Sequence, residues 1–417
     1  MTAERSVADV EQAQRRTVAT LVGSQALGGV GVSTGIAVTA LLAEDILGSP
    51  DLAGLAQTAQ VLGAAAASYA IARVSVVRGR RSGLASGYGV GAVGAMLCLV
   101  SGVVESFAVL LIGATLLGSA TAANSQARFA ATDLAGPAHR ARALSIVVWA
   151  TTIGAVAGPN LVGPASDLAE VLSLPRLTGA YLIGSIGIAL GVVFVFVRMR
   201  PDPLLLAREL EHATGTAATG VRRRAIDAVR EHPRAIAGIV AIAAAHATMV
   251  SVMVMTPLHM GHGGSTLEVI GFVISVHILG MYAFSPVVGW LTDAIGPRQV
   301  LLAGAFLLFG AVALAGTAHE GWSLGLTAGL FLLGLGWSFA LVASSAIVTA
   351  AVPLRDRPTV QGYSDMVMGV AAGGGGALAG VVVGAWGFAV LNAGAAIIVC
   401  VVVASALAVP RADVDAR

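Results

Sequence analysis

Apolar residues run along this chain in blocks of about twenty, set apart by short polar stretches that hold nearly all of its arginines. A bilayer core of about 30 Å is crossed by about 20 residues rising 1.5 Å each, so each block is long enough to span it once. The blocks fall near residues 17–43, 53–72, 83–104, 107–127, 143–164, 178–197, 235–257, 268–290, 299–317, 323–345, 362–383 and 386–409. Only one stretch, from Arg198 to Arg234, is both long and polar. The pattern therefore predicts an all-α membrane protein of twelve transmembrane helices in two six-helix bundles. Its expected parts are a cytoplasmic tail over 1–16, bundles over 17–198 and 235–410, a cytoplasmic linker over 199–234 and a second tail over 411–417.

Charge sets the expected orientation. Cytoplasmic loops are enriched in basic residues, and placing both termini inside leaves Arg176 as the one arginine outside the tails, inner loops and adjoining helix ends. A plasma (inner) membrane location follows as an expectation. The linker carries Arg222-Arg223-Arg224, read as an anchor for anionic headgroups, and an amphipathic run from Pro203 to His212. The first sixteen residues, ending Gln14-Arg15-Arg16, are polar and lack a small-residue cleavage pattern, so they read as a tail and not a signal peptide.

Composition narrows the chemistry. Of 417 residues, 57% are hydrophobic and 11% charged, against roughly 25% charged in soluble proteins. A net charge of +2 gives no footprint for nucleic acid. All basic residues other than histidine are arginine; without lysine there is no Gly-x-x-x-x-Gly-Lys phosphate loop, so transport would be secondary. Cys98 and Cys400 each sit in an apolar run, which leaves neither a disulfide framework nor a Cys-x-x-Cys zinc site. No nucleophile-and-base arrangement suggests an enzyme, and no bound cofactor is expected.

A faint internal repeat follows the second helix of each half: Arg78-Gly79-Arg80-Arg81 in the first, and Gly289-Trp290-Leu291-Thr292-Asp293-Ala294-Ile295-Gly296-Pro297-Arg298 in the second. The second copy resembles the Gly-x-Leu-x-Asp-x-x-Gly-Arg/Pro-Arg signature of the major facilitator superfamily; the first has Val76 where the acid would align. The resemblance extends over the whole chain through helix count, long middle loop and placement of both copies. It implies two bundles rocking about a site near the bilayer midplane, with Asp293 and Arg298 in a gating latch that is asymmetric because the first acid is missing. Fifty-three glycines, including Gly154-x-x-x-Gly158 and Gly373 to Gly376, suit closely packed, mobile helices.

The most unusual local composition lies in residues 246–264, HATMVSVMVMTPLHMGHGG, with four methionines and three histidines. Met249 and Met253 are four apart on one helical face with His246, and His277 and Met281 repeat the spacing on the next span. Counting inward from the outer ends puts Met253 about 6 Å, Met249 about 12 Å, His277 about 14 Å and Met281 about 20 Å deep. If those faces meet, they form a ladder of soft, neutral ligands that fits monovalent copper better than zinc, magnesium or calcium. The paired Met249-x-x-x-Met253 and His277-x-x-x-Met281, with Met255 to Met260 and Ser285-Pro286, resemble the CcoA-like copper importers. That resemblance implies copper uptake with Met249, Met253, His277 and Met281 as ligands, and the family also includes members proposed to carry riboflavin. His246 is a further candidate ligand or a hydrogen-bonding partner of a neighbouring helix. His259, Met260 and His262 are expected in an external loop, capturing metal at the mouth or capping a glycine-rich turn.

Among the charged residues, Asp365 is expected near the start of the eleventh helix, as a cap, gate or coupling group, and Arg128 and Asp133 at the end of the fourth as gating residues. Asn124 and Gln126 either line a cavity or bond across helices. Gly158-Pro159-Asn160-Leu161-Val162-Gly163 partly matches the glycine-proline motif of proton-driven drug antiporters. Copper import by alternating access is thus the main expectation. Its alternatives are an organic solute carrier, either a riboflavin-type importer or a proton-coupled drug exporter, and a non-transporting metal sensor. The other expected partner is the lipid bilayer.

Overall fold

A computed structural model describes residues 6–49, 52–215 and 225–410; the triple arginine at 222–224 and the tail over 411–417 lie outside the described residues. The helices are α1 (Val7–Leu47), α2 (Ala53–Val103), α3 (Phe107–Ala130), α4 (Arg140–Asn160) and α5 (Val162–Val171). They continue with α6 (Gly179–Arg198), α7 (Pro203–Ala213), α8 (Ala225–Arg230), α9 (Pro233–His262) and α10 (Leu267–Tyr282). The last are α11 (Ser285–Ile295), α12 (Pro297–Gly316), α13 (Leu324–Ala351) and α14 (Arg357–Ala408).

Ten helical segments among the described residues are long and apolar enough to cross a membrane, α10 and α11 together forming one of them. Two are far too long for one crossing. The 51 residues of α2 would extend about 76 Å if straight. Gly79 breaks it with φ +86°, and Gly387 breaks the 52-residue α14 with φ +84°. Both values lie in the region that a side chain disfavours and glycine adopts readily. Each broken helix supplies two crossings, so the twelve expected spans fit into ten segments.

Two compact units emerge. The first comprises residues 1–136, 150–223 and 353–366; the second comprises 137–149, 224–352 and 367–417. Helices α4 and α14 therefore each divide between units: α4 gives its start to the second, α14 its start to the first.

Within the first unit, α1 packs on α6 and α2 on α3. Hydrocarbon offers helices little hydrophobic reason to associate, so close van der Waals contact through small residues carries the packing. A methyl group on Gly91 of α2 would lie 2.8 Å from the backbone nitrogen of Ala120 in α3, and one on Gly113 would lie 2.8 Å from that of Cys98. The Gly154-x-x-x-Gly158 pair does the same between α4 and α1: methyl groups there would lie 2.7 Å from Cα of Gly29 and 2.9 Å from the nitrogen of Thr34. In the second unit, α13 is central, packed by α9, α10 and α12. Gly238 of α9 abuts Val348 of α13, and Gly375 of α14 abuts Ser251 of α9.

Because the atoms facing Gly91 are the Cβ and backbone of Ala120, they cannot swing aside. Gly91→Leu should force α2 from α3 and destabilise the first unit by at least about 1 to 3 kcal/mol. A thiol-reactive dye reporting exposure of buried Cys98 during heating, in a Cys400→Ser background, should show a lower midpoint; an unchanged midpoint would refute the packing argument.

Candidate functional site

The first unit holds a buried charge cluster at the arginine-rich ends of its helices. Arg80, at the beginning of the second half of α2, is wholly buried. Its Nε donates to Asp133 Oδ2 at 2.7 Å and its Nη2 to Asp133 Oδ1 at 3.2 Å, while Nη2 also donates to Gln361 Oε1 at 2.6 Å. Beside it, Arg128 of α3 forms an ion pair with Asp365 of α14, donates to the Ser125 carbonyl at 2.6 Å and lies 4.4 Å over the Phe129 ring. Such charges survive away from water only when paired and hydrogen-bonded. Three of the expected gating residues, Arg128, Asp133 and Asp365, thus come together within one unit.

Asp365 does not cap its helix. It lies two turns inside α14, which begins at Arg357, so its partner is the guanidinium of α3 and not a row of free N–H groups. Arg80 was legible only as a motif residue; its pairing with Asp133 depends on a fold-back of 53 positions. Nearby, Gln126 donates to the Ser68 carbonyl at 2.8 Å, and Asn124 accepts from the Tyr88 hydroxyl at 2.6 Å. Both amides bond across helices.

In the second unit, Asp293 accepts from the backbone N–H groups of Ala141 and Arg142 at 3.0 and 2.9 Å, at the first turn of α4. Helix N-termini favour such anions. Arg298 stands half-buried in the first turn of α12.

The methionine and histidine residues occupy this unit too, but not as a loop-and-ladder array. Helix α9 continues through Pro257 to His262, so His259, Met260 and His262 are helical, not in a loop. They face different ways. His259 stacks on Phe388 at 4.2 Å, Met260 is fully buried, and exposed His262 stands 3.9 Å from Glu320. Pro257 and the glycines after it suggested a turn, but a proline removes only one intrahelical donor and the helix carries on beyond it.

His277 is buried on α10 with Nδ1 2.8 Å from the Leu330 carbonyl of α13. That bond requires hydrogen on Nδ1 and leaves the lone pair on Nε2, which is buried without a hydrogen-bond partner. Met281 follows on the same helix against Gly334 of α13. His277 and Met281 are therefore packed against α13. His246 also faces α13: its Nδ1 accepts from Trp337 Nε1–H at 2.7 Å. A neutral imidazole accepting at Nδ1 carries its hydrogen on Nε2, which takes both nitrogens away from metal ligation. Met249 is buried and Met253 half-buried. Among the described residues no group of three or more His, Cys, Asp or Glu is placed to hold a metal ion.

An aromatic corner, not foreseen from the residue pattern, also lies here. Trp337 packs 5.6 Å from the His246 ring, and the Tyr282 ring meets it edge-on at 5.7 Å. Tyr282 and His246 are half-exposed, whereas Trp337 is nearly enclosed. A tryptophan among Leu, Gly and Ser was visible, but nothing in the sequence showed which helices would meet it.

Comparison with known proteins agrees with this architecture. The Major Facilitator Superfamily profile matches residues 21–267 and 238–416, and the chain belongs to that family of membrane transporters. It is 36% identical over 370 residues to the uncharacterized MFS-type transporter YdeG of Bacillus subtilis (strain 168), covering 88% of this chain and 86% of that one. It is 28% identical over 360 residues to the riboflavin transporter RfnT of Brucella anthropi, covering 85% and 86%. In fold it is similar to the human organic anion transporter MFSD10 (TETRAN), with TM-score 0.73 and 16% identity over 95% of this chain and 99% of that one.

Removing one member of a buried ion pair strands the other. Asp365→Asn should destabilise the protein by about 3 to 5 kcal/mol, and Arg128→Gln/Asp365→Asn should recover most of that loss. Thermal unfolding of both purified variants checks the coupling; additive losses would refute it.

Proposed function

We propose that the chain is a secondary carrier of an organic solute with a planar, aromatic ring system, with flavins as the leading candidates, and not a copper importer. The observation that carries this reading is the corner of Trp337, His246 and Tyr282 in the second unit. Aromatic faces attract flat conjugated rings, and the half-exposed rings of Tyr282 and His246 flank Trp337. Half-buried Met253 then acts as a soft, adaptable wall, with Met249 buried behind it on the same helix. The 28% identity to a riboflavin transporter along most of both chains supports the same solute class.

Copper has the weaker case. Of the candidate ligands, His246 is committed to Trp337, His259 stacks on a phenylalanine and His262 faces a carboxylate. Among the described residues, His259 and His277 each keep a buried Nε2 without a hydrogen-bond partner, but His259 is stacked on Phe388 and His277 is packed against α13, so no converging set of ligands forms. Transport is read as alternating access, driven by a gradient or by trapping of the solute.

Proteoliposomes holding the purified protein should take up radiolabelled riboflavin saturably. Trp337→Phe, which shrinks the indole to a phenyl ring and loses the Nε1–H that holds His246, should raise KM about tenfold or more. Met249→Ala/Met253→Ala should change uptake less. Saturable uptake of radioactive copper that vanishes in the double methionine variant, with no flavin uptake by the wild type, would overturn the proposal.

A further inference from the structure

The linker helix α7 is fastened to the turn that carries the incomplete motif copy. Asp202 caps α7, its Oδ1 accepting from the N–H groups of Leu204 and Leu205 at 3.0 and 3.2 Å. Its second oxygen, Oδ2, leaves the linker and accepts from Arg81 N–H at 2.8 Å. The carboxylate lies so close to Gly79 that any methyl group there would overlap it. One turn along α7, Arg208 Nη1 donates to the Val76 carbonyl at 2.9 Å. The linker thus grips the turn at both of its ends, 76 and 81.

The two motif copies explain why this grip matters. In the second copy the acid stands three residues before the positive-φ glycine: Asp293 before Gly296 at φ +93°, with Arg298 two residues after it. In the first copy, Gly79 at φ +86° is followed two residues later by Arg81, and position 76 is valine. A carboxylate nevertheless lies at that turn, delivered from position 202.

The other face of α7 is apolar. Leu204 and Ala207 are buried against Leu354, with Leu134 beside them. Leu354 lies just before α14, whose opening turns carry Gln361 and Asp365, the partners of Arg80 and Arg128. The segment 353–366 belongs to the first unit although the rest of α14 belongs to the second.

We propose that residues 202–213 are a conformational strap: Asp202 supplies from the linker the carboxylate that the first motif copy lacks, and the anchored α7 holds the segment 353–366 in the first unit. The linker is then a working part of the carrier's cycle, since α14 cannot withdraw its opening turns without uncovering Leu204 and Ala207. Charge-assisted bonds to backbone N–H groups hold the strap in place, and the leucine contacts transmit the hold. The same device would serve any cargo, so it stands apart from the solute assignment.

Hydrogen–deuterium exchange on the purified full-length protein tests it. In Asp202→Ala, amides of 203–213 and of 353–362 should both exchange about tenfold faster, roughly what losing a helix cap together with its outside partner releases. Asp293→Ala should leave both stretches at the wild-type rate and speed exchange at 140–146 instead. Arg208→Gln, at the half-buried flank of α7, should give the Asp202→Ala pattern at smaller size, and keeps the test available if Asp202→Ala does not fold. Faster exchange confined to 203–213, or no change in either stretch, would overturn the proposal.

Discussion

Two arginines enclosed among apolar helices, Arg80 and Arg128, set the terms for the first unit. An unpaired guanidinium there would cost more than packing could return, so Asp133 and Asp365 must be where they are. Asp133 follows α3, and Asp365 arrives from near the other end of the chain. The opening turns of α14 are therefore tied into the first unit by electrostatics, with Gln361 adding a neutral bond to Arg80. Helix α14 has to divide between units because its first turns answer charges that the second unit does not hold.

Around that cluster the fold obeys a simpler constraint. In hydrocarbon the backbone must satisfy itself, which dictates helices, and close approach must replace the hydrophobic effect, which dictates glycine at the contacts. The pairs Gly91–Ala120, Gly113–Cys98 and Gly154–Gly29 put backbone against backbone. Positive-φ glycines do a different job. Gly79 and Gly387 reverse chain direction between crossings without adding a loop, and Gly79 also leaves room for the Asp202 carboxylate.

Much of this was legible in the sequence, and the reason is physical. Span length, arginine placement and the Asp293 motif are local properties, each fixed by residues within about twenty positions. They gave the twelve crossings and the family, and they marked Arg128, Asp133 and Asp365 one by one as candidates. Pairings were not legible, because they depend on which faces meet. Arg128 with Asp365 spans 237 positions, and Trp337 with His246 spans 91. The methionine and histidine spacing was a real helical signal. It showed that Met249 shares a face with Met253 and His277 with Met281, but not that His277, Met281 and His246 would all turn to α13.

That shared neighbour decides how the density of soft and aromatic side chains should be understood. A metal site needs lone pairs converging on a point, and the rings around α13 do not supply them: His246 Nδ1 accepts from Trp337, and His277, held at Nδ1 by the Leu330 carbonyl, keeps its Nε2 lone pair enclosed. What is left is a mostly enclosed cluster of an indole and thioethers, with the half-exposed rings of Tyr282 and His246 beside it. The charged groups lie instead at the arginine-rich helix ends, tied to backbone N–H groups and to each other. On the proposed reading, solute contact and the buried ion pairs that tie the start of α14 into the first unit rest on different chemistry, so a change in one need not disturb the other.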